Sequence, residues 1–159
     1  MSQAISPRPR TVGVTKRNFP IVASQFNQVY VQGLVDHFTL ELRSLAPATT
    51  LTLHQVPGAF EIPVVVRELA SQKRGDAIIA VGVILKGETD HAEHLARSVT
   101  DALQRIAVTH GTPVLNVVLS FDNETQARER CLEDEINRGT EAARSAIEIT
   151  NLMSKLRSK

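Results

Sequence analysis

A segment near the middle of the chain, DAIIAVGVIL from Asp76 to Leu85, is apolar from its second residue to its last. These nine apolar residues are far fewer than the ~20 that a helix needs to cross a bilayer, so they predict no membrane span. A strand without a polar face must be covered on both sides, which is typical of parallel sheets. The segment therefore predicts a central strand of a parallel sheet with helices on both faces.

Strands and helices alternate along the rest of the chain. Apolar or alternating patterns predict strands at 19–26, 51–56, 76–85 and 113–120, and the first three are expected to be core strands. Helical spacing and capping signals predict helices at 31–45, 60–72, 91–109, 123–130 and 139–156. This alternation indicates an α/β protein with right-handed crossovers. We expect a single-domain three-layer α-β-α sandwich, flavodoxin-like, with a four-stranded parallel sheet.

Individual residues fix several of these boundaries. Pro63 is expected in the first turn of its helix, where the missing N–H costs nothing. Gly111 should end the third helix, and Asp122 or Asn123 should cap the fourth. The last helix is expected to open at Gly139. Its inward stripe is predicted to be Ala142, Ala146, Ile149, Met153 and Leu156.

The 159 residues suggest one domain. Residues 1–10 carry two prolines and two arginines and predict a flexible N-terminal arm, which leaves residues 11–159 as the folded domain. The stretch MSQAISPRPR lacks the apolar core of a signal peptide. Cys131 is the only cysteine, so no internal disulfide can form and a reducing compartment fits. We therefore expect a cytoplasmic protein.

Composition excludes several classes of partner. The net charge of +1 gives no reason to expect nucleic acid or an acidic membrane. Aromatic residues make up only 4% of the chain, which argues against a stacking platform for single strands. Cys131 lies in the charged helical stretch RERCLEDE, and we expect a half-buried structural residue rather than a nucleophile.

Polar and aromatic residues collect where the predicted strands end. These ends read SQFN, VPGAFE, ILKGETDH and SFDNE. In open parallel sheets ligands bind outside the carboxyl ends of the strands. Gly87 lies between a strand and a helix N-terminus, where free backbone N–H groups suit a phosphate and Lys86 and Thr89 could add donors. A plain turn remains the alternative for this loop, and the spacing of a Walker A loop is absent.

Chemically active side chains accompany that loop. His91 could act as a general acid or base, because its ordinary pKa lies near neutrality. His91 and His94 lack a third ligand, so we expect no metal. A guanidinium, a carboxylate and two aromatic rings complete the candidate cleft: Arg130, Glu61, Phe26 and Phe60. Taken one at a time, each could equally be a solvated surface residue. SQFN has no acidic pair, which argues against a receiver-type signalling domain.

Three segments together resemble the signatures of the lumazine synthase family: SQFN, VPGAFEIP and GVILKGETDH, over a region from about residue 11 to 153. That family condenses 5-amino-6-(D-ribitylamino)uracil with 3,4-dihydroxy-2-butanone 4-phosphate. The product is 6,7-dimethyl-8-ribityllumazine, in the penultimate step of riboflavin biosynthesis, and phosphate and water are released. The resemblance implies a transferase that uses no cofactor or metal and acts on small molecules. It also implies a homo-oligomer whose active sites lie between the subunits of a pentamer.

The resemblance also implies the roles of individual residues. His91 is the implied proton relay, Phe26 stacks on the pyrimidine, and Arg130 closes on the phosphate from the neighbouring subunit. The corner at Glu61 faces the ribityl chain, and Arg138 stands where the family usually has a lysine near the pyrimidine. The implied substrate-binding residues are Phe26, Asn27, Ala59, Phe60, Glu61, Val83, Ile84, Leu85, Glu88, Thr89, Asn116, Arg130 and Arg138.

The chain departs from the family pattern in three places. Asn116 stands where many members have an aromatic residue, and Ala92 replaces an aromatic residue after the histidine. The loop CLEDEINRG is acidic where relatives are rich in glycine and lysine. In the family this loop helps to build a sixty-subunit shell, so we expect a pentamer or a dimer of pentamers here. A non-catalytic paralogue that binds flavin or lumazine remains the alternative function.

Overall fold

The computed structural model describes residues 2–9 and 16–158. The strands are β1 Asn18–Ser24, β2 Thr50–Val56, β3 Ile78–Leu85 and β4 Val114–Phe121. The α-helices are α1 Gln28–Leu45, α2 Ile62–Ser71, α3 His91–His110, α4 Glu124–Cys131 and α5 Arg138–Arg157. A 3-10 turn, Ala59–Glu61, leads directly into α2. The predicted alternation of strands and helices is confirmed.

The four strands form one parallel sheet in the order β2-β1-β3-β4. β3 is central and almost entirely buried, as its apolar sequence predicted. The prediction that 51–56 is a core strand is wrong, because β2 lies at the edge and only Val56 is buried. Leu53 on this strand is 47% exposed. Alternating apolar residues indicate a half-buried strand, but they do not say whether the strand has one neighbour or two.

Two apolar cores cover the two faces of the sheet, which confirms the three-layer sandwich. One core joins α1, α4 and α5 to Ile79, Val81 and Val83 of β3. The other joins α2 and α3 to Ile78 and Ala80 of the same strand. The alternation along β3 follows from the two-residue period of a strand, which turns successive side chains to opposite faces.

The ends of the helices largely follow the local signals. Pro63 lies in the first turn of α2, and Gly111 ends α3 in a left-handed conformation with φ 61°. The side chain of Asn123 accepts a hydrogen bond from the Gln126 N–H and caps α4. The predicted stripe on α5 is wrong at its end, because Leu156 is 65% exposed. The residues of α5 that are buried are Arg138, Gly139, Ala142, Ala143, Ala146, Ile147 and Thr150.

Gly139 lets α5 pack closely against α1. A Cβ atom at this position would overlap the backbone carbonyl of Leu34 on α1. We expect Gly139→Ala to lower the free energy of unfolding by about 1–3 kcal/mol, because backbone cannot move aside as a side chain can. Chemical denaturation measures this change. Gly87→Ala is the matched control, since a Cβ there has no heavy atom within 4 Å. Equal stability of the two variants would contradict the close approach.

Candidate functional site

The carboxyl ends of β1, β2 and β3 enclose a cleft of ≈ 410 Å³. It is lined by Phe26, Asn27, Gly58, Ala59, Phe60, Glu61, Val83, Ile84, Leu85, His91, Ala92 and Leu95. The parallel strands place these ends at one edge of the sheet, as the topology predicts. Most of the cleft's lining was predicted from the sequence. The structure adds Gly58, Ala92 and Leu95 to it.

The turn after β1 is tied to both neighbouring strands. The Gln25 N–H donates to the Val56 carbonyl at 2.8 Å, at the end of β2. Asn27 has a left-handed backbone, with φ 56°, and its side-chain amide donates to the Val83 carbonyl of β3 at 2.7 Å. These bonds fix the turn that carries Phe26, whose side chain remains 73% exposed at the cleft. Asn27 is therefore a structural anchor of the cleft as well as part of its lining.

The corner VPGAFEIP is closed by a hydrogen bond of its own. The Gly58 N–H donates to Oε2 of Glu61 at 2.9 Å. A Cβ on Gly58 would lie 3.1 Å from that same oxygen, so a larger residue would press on the carboxylate. The 3-10 turn and the following α2 hold Phe60 at the cleft, where it is 68% exposed. The corner thus presents an aromatic ring and a carboxylate on a stiff backbone.

The loop after β3 leads into the N-terminus of α3. Residues 86–91 are exposed, and α3 begins at His91 with no side-chain cap from Asp90. The first N–H groups of such a helix lack intrahelical partners and attract anions. His91 lines the cleft, whereas Thr89 borders a neighbouring hollow of ≈ 490 Å³. Glu88 lines neither of the two. The loop therefore separates two open spaces at the same edge of the sheet.

Besides Glu88 and Thr89, three more predicted site residues lie outside the cleft. Asn116 and Arg138 line a separate groove of ≈ 270 Å³ between β4 and α5. Arg130 lies on α4 with only 7% of its surface exposed. One of its guanidinium nitrogens donates to Oε2 of Glu129 at 3.1 Å. Apart from the loop residues Glu88 and Thr89, the predicted residues thus form two groups within one chain, one at the cleft and one on β4, α4 and α5.

Cys131 is fully buried, rather than half-buried as the sequence suggested. Burial raises the pKa of its thiol to about 12, and the nearby charge of Arg130 offsets this only in part. The thiol therefore stays protonated at neutral pH and is a poor nucleophile. Among residues 2–9 and 16–158, no group of three His, Cys, Asp or Glu side chains could hold a metal ion. No helix in the same ranges is long and apolar enough to cross a membrane.

Comparisons with known proteins are consistent with one another. Residues 16–154 match the model of the family described as 6,7-dimethyl-8-ribityllumazine synthase. A protein of that name from Halorhodospira halophila is 37% identical over 146 residues, which cover 91% of this chain and 94% of the relative. Another of that name, from Leptothrix cholodnii, is 39% identical over 137 residues, which cover 86% of each chain.

Proposed function

Because this chain belongs to the 6,7-dimethyl-8-ribityllumazine synthase family, we propose that it catalyses the reaction of that family. It is a transferase of riboflavin biosynthesis. It condenses 5-amino-6-(D-ribitylamino)uracil with 3,4-dihydroxy-2-butanone 4-phosphate and releases phosphate and water. The observation that carries this conclusion is the cleft, where three segments distant in the sequence meet at one edge of the sheet.

The cleft suits the pyrimidine substrate. Phe26 offers an exposed ring on which the pyrimidine can stack, and Phe60 adds apolar surface on the opposite loop. Oε2 of Glu61 accepts the Gly58 N–H, and a carboxylate retains further lone pairs for the hydroxyls of the ribityl chain. We assign to the same substrate the backbone groups of Ala59 and Phe60, together with Asn27 and the end of β3. The β3 residues concerned are Val83, Ile84 and Leu85.

The loop before α3 suits the phosphorylated substrate. Gly87 leaves room for close approach of a ligand, and the N–H groups at the start of α3 favour negative charge. Glu88 and Thr89 belong to this loop and would contact the phosphate end through backbone and hydroxyl groups. His91 stands between the loop and the cleft, where both substrates meet. We assign to it the proton transfers of imine formation, phosphate elimination and ring closure.

Much of the acceleration is expected from holding the two reactants together. Such positioning contributes up to ~7–11 kcal/mol in favourable cases, whereas a single acid/base group adds roughly 10²–10⁴-fold. A site of this kind needs no cofactor. The protein's tasks are then to align the two substrates, to exclude water and to move protons at His91.

A complete site requires two subunits. Arg130, Arg138 and Asn116 lie outside the cleft of their own chain, which supports their contribution to the cleft of a neighbour. We propose a homo-oligomer, either a pentamer or a dimer of pentamers, in which Arg130 binds the phosphate. Arg138 and Asn116 would complete the pyrimidine pocket, with Asn116 providing an amide where many members have a ring. A cytoplasmic location fits the buried, unpaired Cys131.

A turnover assay with both substrates tests this function. We expect product formation, followed by the absorbance of the lumazine. Phe26→Ala should raise the KM for the pyrimidine substrate about 10-fold or more, because stacking on an aromatic ring contributes ~1–3 kcal/mol per base. Val29→Ala is the matched control, since it removes another exposed apolar side chain that does not line the cleft. Tight lumazine binding without any product would instead support the non-catalytic alternative.

A further inference from the structure

Arg138 is the proposed pyrimidine contact, yet it is already engaged by the N-terminal arm. The residue is only 5% exposed. Its Nη1 donates to the Ala4 carbonyl at 3.1 Å and to Oε2 of Glu141 at 2.7 Å. Its Nη2 donates to the Ser2 carbonyl. The donors that would reach a substrate are therefore turned toward backbone carbonyls of the same chain.

The arm is fastened to α1 and α5 by a second set of contacts. Nη1 of Arg144 donates to the Ser6 carbonyl at 2.7 Å. Arg8 and Arg144 each donate through Nε to Oε1 of Glu41 at 2.9 Å. Arg8 also donates to the Ser44 hydroxyl at 2.6 Å. Residues 2–8, which we call the strap, thus lie along the two helices from Arg138 to Ser44.

The charge at Glu41 supports this fastening at neutral pH. Burial raises the pKa of Glu41, but hydrogen bonds and charge from Arg8 and Arg144 outweigh it and hold the pKa below its usual value. The carboxylate therefore stays ionised above its unfolded pKa, and the anchor weakens only as pH falls through the lowered folded pKa. The Arg8 side chain is 49% exposed, and exposed ion pairs are weak. The strap is therefore fastened by several contacts, of which the ion pair at Arg8 is a weak one.

The strap offers Arg138 the same chemistry as the substrate. Backbone carbonyl oxygens accept N–H hydrogen bonds just as the carbonyl oxygens of a pyrimidinedione do. Arg138 also lines the groove that contains Asn116. Its buried Nε–H has no partner among the described residues, so the strap leaves one donor of the guanidinium unsatisfied.

We propose that the strap competes with the pyrimidine substrate for the guanidinium of Arg138, which rests on the pyrimidine-binding role proposed for that residue above. When the strap is bound to α1 and α5, the carbonyls of Ser2 and Ala4 accept the N–H groups of Arg138. When the strap lifts off, these N–H groups are free to bind the pyrimidine. The apparent Kd for the pyrimidine then equals the intrinsic Kd divided by the fraction of subunits whose strap is lifted. The phosphorylated substrate binds elsewhere and is unaffected.

The test loosens the strap in the full-length protein without touching Arg138. Arg8→Gln/Arg144→Gln removes the two arginines that fasten the strap, Arg8 through Glu41 and Arg144 through the Ser6 carbonyl. We expect the KM for the pyrimidine substrate to fall about threefold or more, because more subunits are binding-competent. kcat and the KM for the phosphorylated substrate should stay unchanged. Arg43→Gln/Arg105→Gln is the matched control, because it removes two exposed arginines on α1 and α3.

The single variant Arg8→Gln provides a second test in case the double variant does not fold. It removes an exposed side chain and should lower the KM for the pyrimidine in the same direction by a smaller factor. A raised KM for the pyrimidine would show that the strap positions Arg138 instead, and an unchanged KM would show that the strap has no influence. Either result overturns the inference while leaving the enzyme active. Absence of turnover in the unmodified protein would overturn the proposed function itself, and the inference with it.

Discussion

Arg130→Ala is expected to raise the KM for 3,4-dihydroxy-2-butanone 4-phosphate by roughly 30–100-fold, with a smaller fall in kcat. The planar guanidinium is permanently charged and binds phosphate oxygens in pairs. Losing one net hydrogen bond to a charged partner costs about 1.5–3 kcal/mol, or roughly 10–150-fold in affinity, and the expected increase lies within that range. In the single chain Arg130 is 7% exposed and donates to Glu129, so phosphate binding requires the guanidinium to exchange this partner for the phosphate oxygens.

Steady-state kinetics with each substrate varied in turn measures the effect. Arg128→Ala is the matched control: it lies on the same helix, and its side chain is 68% exposed beside Glu133. Inorganic phosphate should inhibit the unmodified enzyme competitively with the phosphorylated substrate and inhibit Arg130→Ala much less. Arg130→Lys should recover part of the affinity, because it restores the charge without the planar fork. A KM for the phosphorylated substrate that stays unchanged in Arg130→Ala would rule out the phosphate role.

The central part of the fold was predictable because its signals are local. The apolar run 76–85 could only be covered on both faces, and β3 is accordingly central and buried. The caps at Gly111 and Asn123 depend on the chain within a few residues of each. The edge position of β2 was not predictable, because strand order depends on which strands pair across the sheet. The exposure of Leu156 was not predictable either, because helical spacing does not show where α5 extends beyond the surface on which it packs.

The cleft was predictable from one general property of parallel sheets. Their carboxyl ends meet, so SQFN, VPGAFE and the loop before His91 had to lie together. The hydrogen bonds that fix these loops could not be predicted. The Asn27 amide donates to the Val83 carbonyl, and the Gln25 N–H donates to the Val56 carbonyl of another strand. Such bonds depend on side-chain and backbone placement between segments that are distant in the sequence. The sequence pattern itself gives no signal for them.

The expectation that Arg130 acts from a neighbouring subunit came from the resemblance and not from any pattern in the chain. No spacing rule predicts where Arg138 lies relative to His91, since a further helix, α4, stands between the last strand and Arg138. The strap was also beyond sequence reasoning. Prolines and arginines at 1–10 predicted a flexible arm, and that flexibility stays a prediction. The described residues 2–8 make defined contacts with α1 and α5, and those with α5 depend on side chains more than a hundred residues away in the sequence.

His91→Ala is expected to lower kcat by roughly 10²-fold while changing both KM values little, because a general acid/base group acts mainly in the transition state. Activity should persist, since the positioning of the two substrates is retained. His94→Ala is the matched control, because it removes an exposed histidine one turn further along α3 that does not line the cleft. An unchanged kcat at several pH values in His91→Ala would remove the catalytic role.

Co-expressing His91→Ala and Arg130→Ala subunits joins both predictions in one measurement. Each proposed site draws His91 from one subunit and Arg130 from its neighbour. In a randomly mixed ring about one quarter of the sites then contain both intact residues, because a heterologous interface pairs different surfaces of adjacent subunits. With the phosphorylated substrate well below its KM, the mixed oligomer should therefore recover about one quarter of the unmodified activity, far above either variant alone. If each site were built within one chain, every site would carry one defect and no activity would return on mixing.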